Sequence, residues 1–205
     1  EDKAMLAYLQ AENAYTDQVV APLKPLQETL YKEIVARIKQ DDSSVPARER
    51  GYWYYSRTVE GKQYPIYCRK VKSLENQEEV ILDVNELVEG KSYYQVGGSA
   101  TAPNQKLLAF AADEVGRRIY TIYFKNLETG EIFDESIPNV TGNFAWSSDN
   151  QTLFYSKQDP ETLRSFRIYK HQLGSDSSED QLVYEEKDEE FSCFVYKTKS
   201  KKVCG

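Results

Sequence analysis

The sequence predicts a mainly β chain: an incomplete β-propeller of about three blades with the start of a fourth, preceded by an N-terminal helical pair. Three observations carry this. The hydrophobic period changes near Gly51, from helical spacing to short aromatic and β-branched runs separated by turns. A pattern of aromatic, any residue, Ile, Tyr recurs at Tyr64-Pro65-Ile66-Tyr67, Tyr120-Thr121-Ile122-Tyr123 and Phe166-Arg167-Ile168-Tyr169. Tyrosine is in excess, 16 residues against 8 Phe and 2 Trp, and tyrosine favours pleated, half-buried surfaces.

The helical pair comes first, over residues 1–40. Leu23, Leu26, Leu30, Ile34 and Ile38 recur at spacings of three and four and line one face. Met5, Leu6, Tyr8 and Leu9 mark an earlier helix ending near Val20. Pro22 and Pro25 separate the two, because proline fits a helix start but not its interior. Residues 41–50 are polar and read as a linker.

From residue 51 to 205 the reading is propeller, with blades at about 51–90, 91–138 and 139–187 and the next one starting at 188–205. Strands are expected at Tyr52–Arg57, Pro65–Arg69, Val80–Leu82, Tyr93–Val96, Leu107–Ala111, Tyr120–Lys125, Phe144–Trp146, Thr152–Ser156, Phe166–Tyr169, Gln181–Tyr184 and Phe191–Tyr196. A second repeat strengthens the blade reading: Ala102-Pro103-Asn104-Gln105-Lys106-Leu107 resembles Ser148-Asp149-Asn150-Gln151-Thr152-Leu153, a tight turn leading into an apolar strand. Self-similarity at roughly 40–50 residues, with about four strands per unit, is the blade pattern. Closed propellers take roughly four to eight blades, so three cannot close a ring. The rival is an ordinary antiparallel sandwich or meander.

Charge narrows the partners. A net charge of −7 is the opposite of the basic footprint of nucleic-acid binding, and no apolar run is long enough to span a membrane. Cys68, Cys193 and Cys204 form no metal-ligand spacing, and neither metal nor cofactor is expected. Their odd number and wide separation suit a reducing cytosol. The two Asn-x-Thr sequons at Asn139 and Asn150 read as turn residues. Glu1 is not a Met, so a processed or truncated start is expected.

A self-contained serine peptidase needs a nucleophile, a base and an orienting carboxylate. The single histidine, His171, reads as an ordinary strand residue. Gly97-Gly98-Ser99-Ala100 imitates a nucleophile elbow, but residue 101 is Thr and a turn follows instead of a helix, so Ser99 reads as part of the first strand of a blade. No catalytic or metal-binding residue is read here, and no substrate-binding residue is identified. Glu185-Glu186 and Asp188-Glu189-Glu190 read as a solvated charge run, with attraction of a basic peptide as the sharper alternative.

Several segments nevertheless resemble a known family. Tyr8-Leu9-Gln10-Ala11-Glu12-Asn13-Ala14-Tyr15 is similar to the helix before the propeller in the prolyl oligopeptidase family. Gly51-Tyr52-Trp53-Tyr54-Tyr55-Ser56-Arg57 with Glu60-Gly61-Lys62-Gln63-Tyr64-Pro65-Ile66-Tyr67-Cys68-Arg69 resembles the first blade of its oligopeptidase B branch, and Asp180–Asp188 resembles the third. The resemblance implies a seven-bladed propeller that admits short peptides to a C-terminal α/β-hydrolase domain bearing a Ser-Asp-His triad beyond residue 205. It also implies short basic peptides as substrates, cut after Lys or Arg. One departure concerns Asp113-Glu114-Val115-Gly116-Arg117-Arg118-Ile119-Tyr120, where Arg118 stands at a position that is Glu in many members. Arg117 and Arg118, expected on opposite faces of a strand, are the candidates for a bridge to the catalytic domain. The competing reading of the whole is a stand-alone β-propeller-like interaction module.

Overall fold

The computed structural model describes residues 2–201 and 204. The chain divides into two compact units, one running to Asp42 and one starting at Ser43.

The first unit is helical. Helix α1 (Lys3–Val20) is capped by the Asp2 carboxylate, which accepts the Ala4 N–H at 2.9 Å and the Met5 N–H at 3.3 Å. A single 3₁₀ turn, Ala21–Leu23, carries Pro22, and helix α2 (Lys24–Ala36) follows with Pro25 in its first turn. This is the break expected from the two prolines. Neither helix contains a buried residue, and Leu23, Leu26, Leu30 and Ile34 all stand in the open.

The second unit consists of three four-stranded antiparallel meanders. The first blade is β1 (Ala47–Glu49), β2 (Tyr52–Arg57), β3 (Ile66–Val71) and β4 (Glu78–Asp83). A four-residue helix, α3 (Val84–Leu87), leads out of it. The second is β5 (Gln95–Thr101), β6 (Leu107–Asp113), β7 (Tyr120–Asn126) and β8 (Ile132–Val140). The third is β9 (Phe144–Trp146), β10 (Thr152–Gln158), β11 (Ser165–Gln172) and β12 (Gln181–Glu185). The aromatic-x-Ile-Tyr repeat lands on the third strand of every blade, with Ile66, Ile122 and Ile168 buried.

Four expectations change. Ala47–Glu49, inside the segment read as linker, pairs with β2 as the first strand of its blade. The strand β8 was not foreseen, since Asp134, Glu135 and Pro138 interrupt its apolar pattern. Phe191–Tyr196 forms no strand; among the described residues no partner strand follows it, and it is held by isolated bonds instead, from Cys193 N–H to the Ser165 carbonyl at 2.9 Å and between Val195 and the Asn143 side chain at 2.7 and 2.8 Å. The turn repeat also aligns one residue away from its sequence match. Ala102 and Ser147 each donate N–H across the turn, to the carbonyls of Leu107 and Thr152, so Gln105 corresponds to Asn150. Both have φ of +65°, the left-handed backbone that this turn requires.

The core lies between blades. Strand β6 has a neighbour on each side: Leu108, Phe110 and Ala112 pack with Leu82, Val84 and Tyr94, while Ala109 and Ala111 pack with Ile122, Phe124, Trp146 and Leu153. Burial of both faces explains why residues 107–112 are continuously apolar instead of alternating. Where blades two and three meet at β5, glycine permits close approach. A Cβ on Gly98 would sit 2.3 Å from the Gly142 carbonyl oxygen, which is backbone and cannot rotate away. Gly98→Ala is expected to lower stability by about 2–3 kcal/mol through overpacking. Gly130→Ala, at φ +81° with open space around it, is expected to cost about 1–2 kcal/mol from backbone strain alone. Thermal unfolding of the two variants side by side checks the order; equal Tm values would refute the close-approach argument.

Candidate functional site

Arg117 and Arg118 lie in the loop between β6 and β7, both exposed, and not on a strand. The expectation of two arginines on opposite strand faces is therefore corrected. Asp113 is the reason. It ends β6, is fully buried, and turns the chain: Oδ1 accepts the N–H groups of Val115 and Gly116 at 2.9 Å, and Oδ2 accepts the Arg118 N–H at 2.7 Å. Gly116 (φ +80°) and Arg118 (φ +58°) take left-handed backbone so that their amides point inward. The carboxylate organises the loop as an Asx turn does, before the chain can extend a strand to residue 118.

The same device recurs at this end of the third blade. Asp159, just after β10, accepts N–H bonds from Glu161 and Thr162 at 2.9 and 2.8 Å, and these hold its carboxyl below the usual carboxylate range. Leu163 closes that loop at φ +59°. The two loops are tied together: Gln158 Nε2 donates to the Arg118 carbonyl at 2.7 Å. The side chains of Arg117 and Arg118 are thus presented to solvent from a loop whose backbone is anchored at both ends.

Other polar contacts cross between blades where no sheet ladder does. Trp146 Nε1 donates to the Ala100 carbonyl at 2.9 Å, and Asn150 Oδ1 accepts the Asn104 N–H at 2.6 Å. Between blades one and two, Arg69 is nearly buried. It pairs with Glu79 at 2.7 Å, donates to the Gln105 carbonyl at 2.7 Å and lies 4.3 Å from the Tyr52 ring.

Two cavities open in this unit. One, of about 430 Å³, is lined by Tyr54, Tyr55, Tyr67, Cys68, Ser99 and Trp146 among others. Burial, reinforced by the nearby Glu78 carboxylate, pushes the Cys68 thiol up to about 11, so it is protonated at neutral pH and is not a poised nucleophile. The other, of about 460 Å³, is lined by Asp149, Lys170, His171, Glu179 and Asp180 among others. Ser99 and His171 thus face different cavities from different blades, and the fold does not assemble a triad from them.

His171 is not the ordinary strand residue that its position in the repeat implies. It is fully buried with a carboxylate on each ring nitrogen. Nothing near it in sequence announces this, because one of the carboxylates, Glu135, comes from another blade. Asp113 was legible in principle: an aspartate closing an apolar strand three residues before a glycine is a turn signal. Asp113→Asn keeps one carbonyl oxygen for Val115 and Gly116 but turns an amide toward the Arg118 N–H. The loop is expected to lose about 1–3 kcal/mol of local stability. Faster hydrogen exchange at Arg118 would show it, and unchanged exchange would count against the anchoring role.

Comparison with known proteins places this architecture. Residues 1–204 match the family model described as prolyl oligopeptidase, N-terminal beta-propeller domain. The chain is 53% identical to dipeptidyl aminopeptidase BI of Pseudoxanthomonas mexicana, over 93% of this chain and 28% of that protein. It is 35% identical to Protease 2 of Moraxella lacunata, over 98% of this chain and 30% of that protein. Among solved structures it is similar to oligopeptidase B from Leishmania major, at 36% identity and a TM-score of 0.89, over 96% of this chain and 28% of the other. For oligopeptidase B from Trypanosoma brucei with covalently bound antipain the values are 30% and 0.90, over 100% and 29%. The chain spans less than a third of the length of these relatives.

Proposed function

Because the chain belongs to the prolyl oligopeptidase family through its N-terminal β-propeller domain, we propose that it forms the propeller side of a serine oligopeptidase, filtering substrates by size for a catalytic domain elsewhere in the same protein. The single observation that carries this is the overlay of almost the whole chain, helices and three blades, on two oligopeptidases B. The helical unit supports it independently. A stripe of Leu23, Leu26, Leu30 and Ile34, each roughly half exposed or more, is the face of a helix that packs on something further.

The chemistry is nucleophilic acyl transfer, with nucleophile, base and oxyanion donors supplied by the catalytic domain. The part played here is exclusion: a rigid blade wall leaves room for a short extended peptide and not for a folded protein. The net charge of −7 favours cationic substrates, in keeping with cleavage after Lys or Arg. A second reading follows from the 53% identical relative, whose name describes release of dipeptides from a free amino terminus. The three cysteines, free of disulfides, support a reducing compartment such as the cytosol.

A pair of short peptides with one internal Arg, one with a free and one with an acetylated amino terminus, separates the readings in the full-length protein. Cleavage after Arg in both peptides, blocked by a serine-directed inhibitor, is expected. Dipeptide release confined to the free peptide would replace oligopeptidase by dipeptidyl aminopeptidase action, and no cleavage of either would leave an interaction module.

Arg117 and Arg118 belong to this proposal as contacts to the catalytic domain, supported by their exposure on an anchored loop. Arg118→Ala is expected to change kcat/KM by about two- to five-fold, the range of an exposed ion pair. An unchanged value would make the pair a solvated rim.

A further inference from the structure

One buried ionisable cluster serves neither the strand repeat nor the proposed filter. His171, in β11 of the third blade, has no solvent exposure. Its Nδ1 lies 2.7 Å from Oδ1 of Asp180, the residue that precedes β12 in the same blade. Its Nε2 lies 2.7 Å from Oε1 of Glu135, in β8 of the second blade. The same Glu135 oxygen accepts the Gly174 N–H at 2.7 Å, so it grips the third blade at two points. The other oxygen of Asp180 accepts the Tyr155 hydroxyl at 2.8 Å. The imidazole lies almost parallel to the Phe124 ring of the second blade, with centroids 5.6 Å apart.

Proton counting decides the state of this ring. A neutral imidazole has one N–H donor and one lone pair. Either tautomer would aim its lone pair at a carboxylate oxygen 2.7 Å away. Only the doubly protonated ring donates at both ends, and its charge is also the one that an aromatic face attracts. We propose that His171 is held as an imidazolium that clamps the second blade to the third, and that rising pH opens this clamp.

Among the described residues, the ring is the one cation that faces both carboxylates. β8 supplies Glu135, the turn before β12 supplies Asp180 and Glu179, and β10 supplies Tyr155, whose hydroxyl is committed to Asp180. β7 supplies only the apolar Phe124. Lys170, next to His171 on its own strand, lines the adjacent cavity with Asp149 and Glu179. Among the described residues, neither Glu135 nor Asp180 makes an ion pair with a lysine or arginine. Loss of the ring proton therefore leaves two close carboxylates with no counter-charge between them. The sign follows from the ring proton that both bonds need: the clamp is complete at low pH and is lost as pH rises. The device belongs to the propeller and stands whether or not the peptidase reading holds.

Hydrogen exchange at single-residue resolution in the full-length protein tests it. The Gly174 amide, bonded to Glu135, is the reporter. The Gly130 amide occupies a similar hairpin in the second blade but donates to the Asn126 peptide carbonyl at 2.8 Å, and it serves as the internal reference. From about pH 5 to about pH 9, a span that brackets the titration of imidazole, the Gly174 to Gly130 exchange ratio is expected to rise about ten-fold, the worth of one charge-assisted hydrogen bond. A ratio that stays flat overturns the proposal. Glu135→Gln retains an acceptor for both donors while removing one charge, so the step is expected at lower pH; a step at the wild-type pH also overturns it. If that variant does not fold, the wild-type profile decides alone.

Discussion

Strand β6 sets the terms for the rest of the structure. It is the second strand of the middle blade, and it is buried on both faces by blades that come before and after it in sequence. A four-stranded meander has two faces and cannot cover either by itself, so a blade becomes stable only between neighbours. The alternation of large and small residues along β6 answers this geometry. Leu108 and Phe110 pack toward the first blade, while Ala109 and Ala111 leave space for Phe124 and Trp146 on the other side. At β5 the approach is closer still: a Cβ on Gly98 would strike the Gly142 backbone and one on Gly97 the Tyr120 ring.

Because hydrogen-bonded ladders stop at the edge of each blade, the registration of one blade on the next is left to a few side chains. Trp146 reaches Ala100, Asn150 reaches Asn104, Gln158 reaches Arg118, and Arg69 reaches Gln105. Most of these bonds join a side chain to a backbone group, which ties position without depending on what residue is held. Each contributes about 1 kcal/mol on top of the apolar packing between the blades. The clamp proposed at His171 differs from the others in resting on a single proton.

The helical unit follows a different logic. Its caps and proline break are local and complete, yet its apolar stripe is covered by nothing within the unit. Helices of this length draw most of their stability from packing, so the stripe asks for a partner surface. Within the second unit, by contrast, β6 has both its faces covered by neighbouring residues of the blades.

The sequence by itself determined whatever depends on near neighbours. The prolines at 22 and 25 set the helix break, the aromatic-x-Ile-Tyr repeat marked the third strand of each blade, and the missing glycine after Ser99 excluded an elbow. Family membership was legible for the same reason, since long contiguous motifs such as 51–57 and 60–69 carry it. Tertiary structure decided whatever depends on residues far apart. Strand β8 was hidden because Asp134 and Glu135 look like loop residues until Glu135 meets His171, 36 positions later, in the next blade. The turn repeat was misread by one residue because Asn-Gln occurs in both copies, whereas the left-handed backbone falls on Gln105 in one and on Asn150 in the other. Arg118 left its expected strand because the buried Asp113 carboxylate claims its amide. Glu135 found its partner only after the blades had stacked, and pairing across stacked sheets leaves no period in the sequence to read.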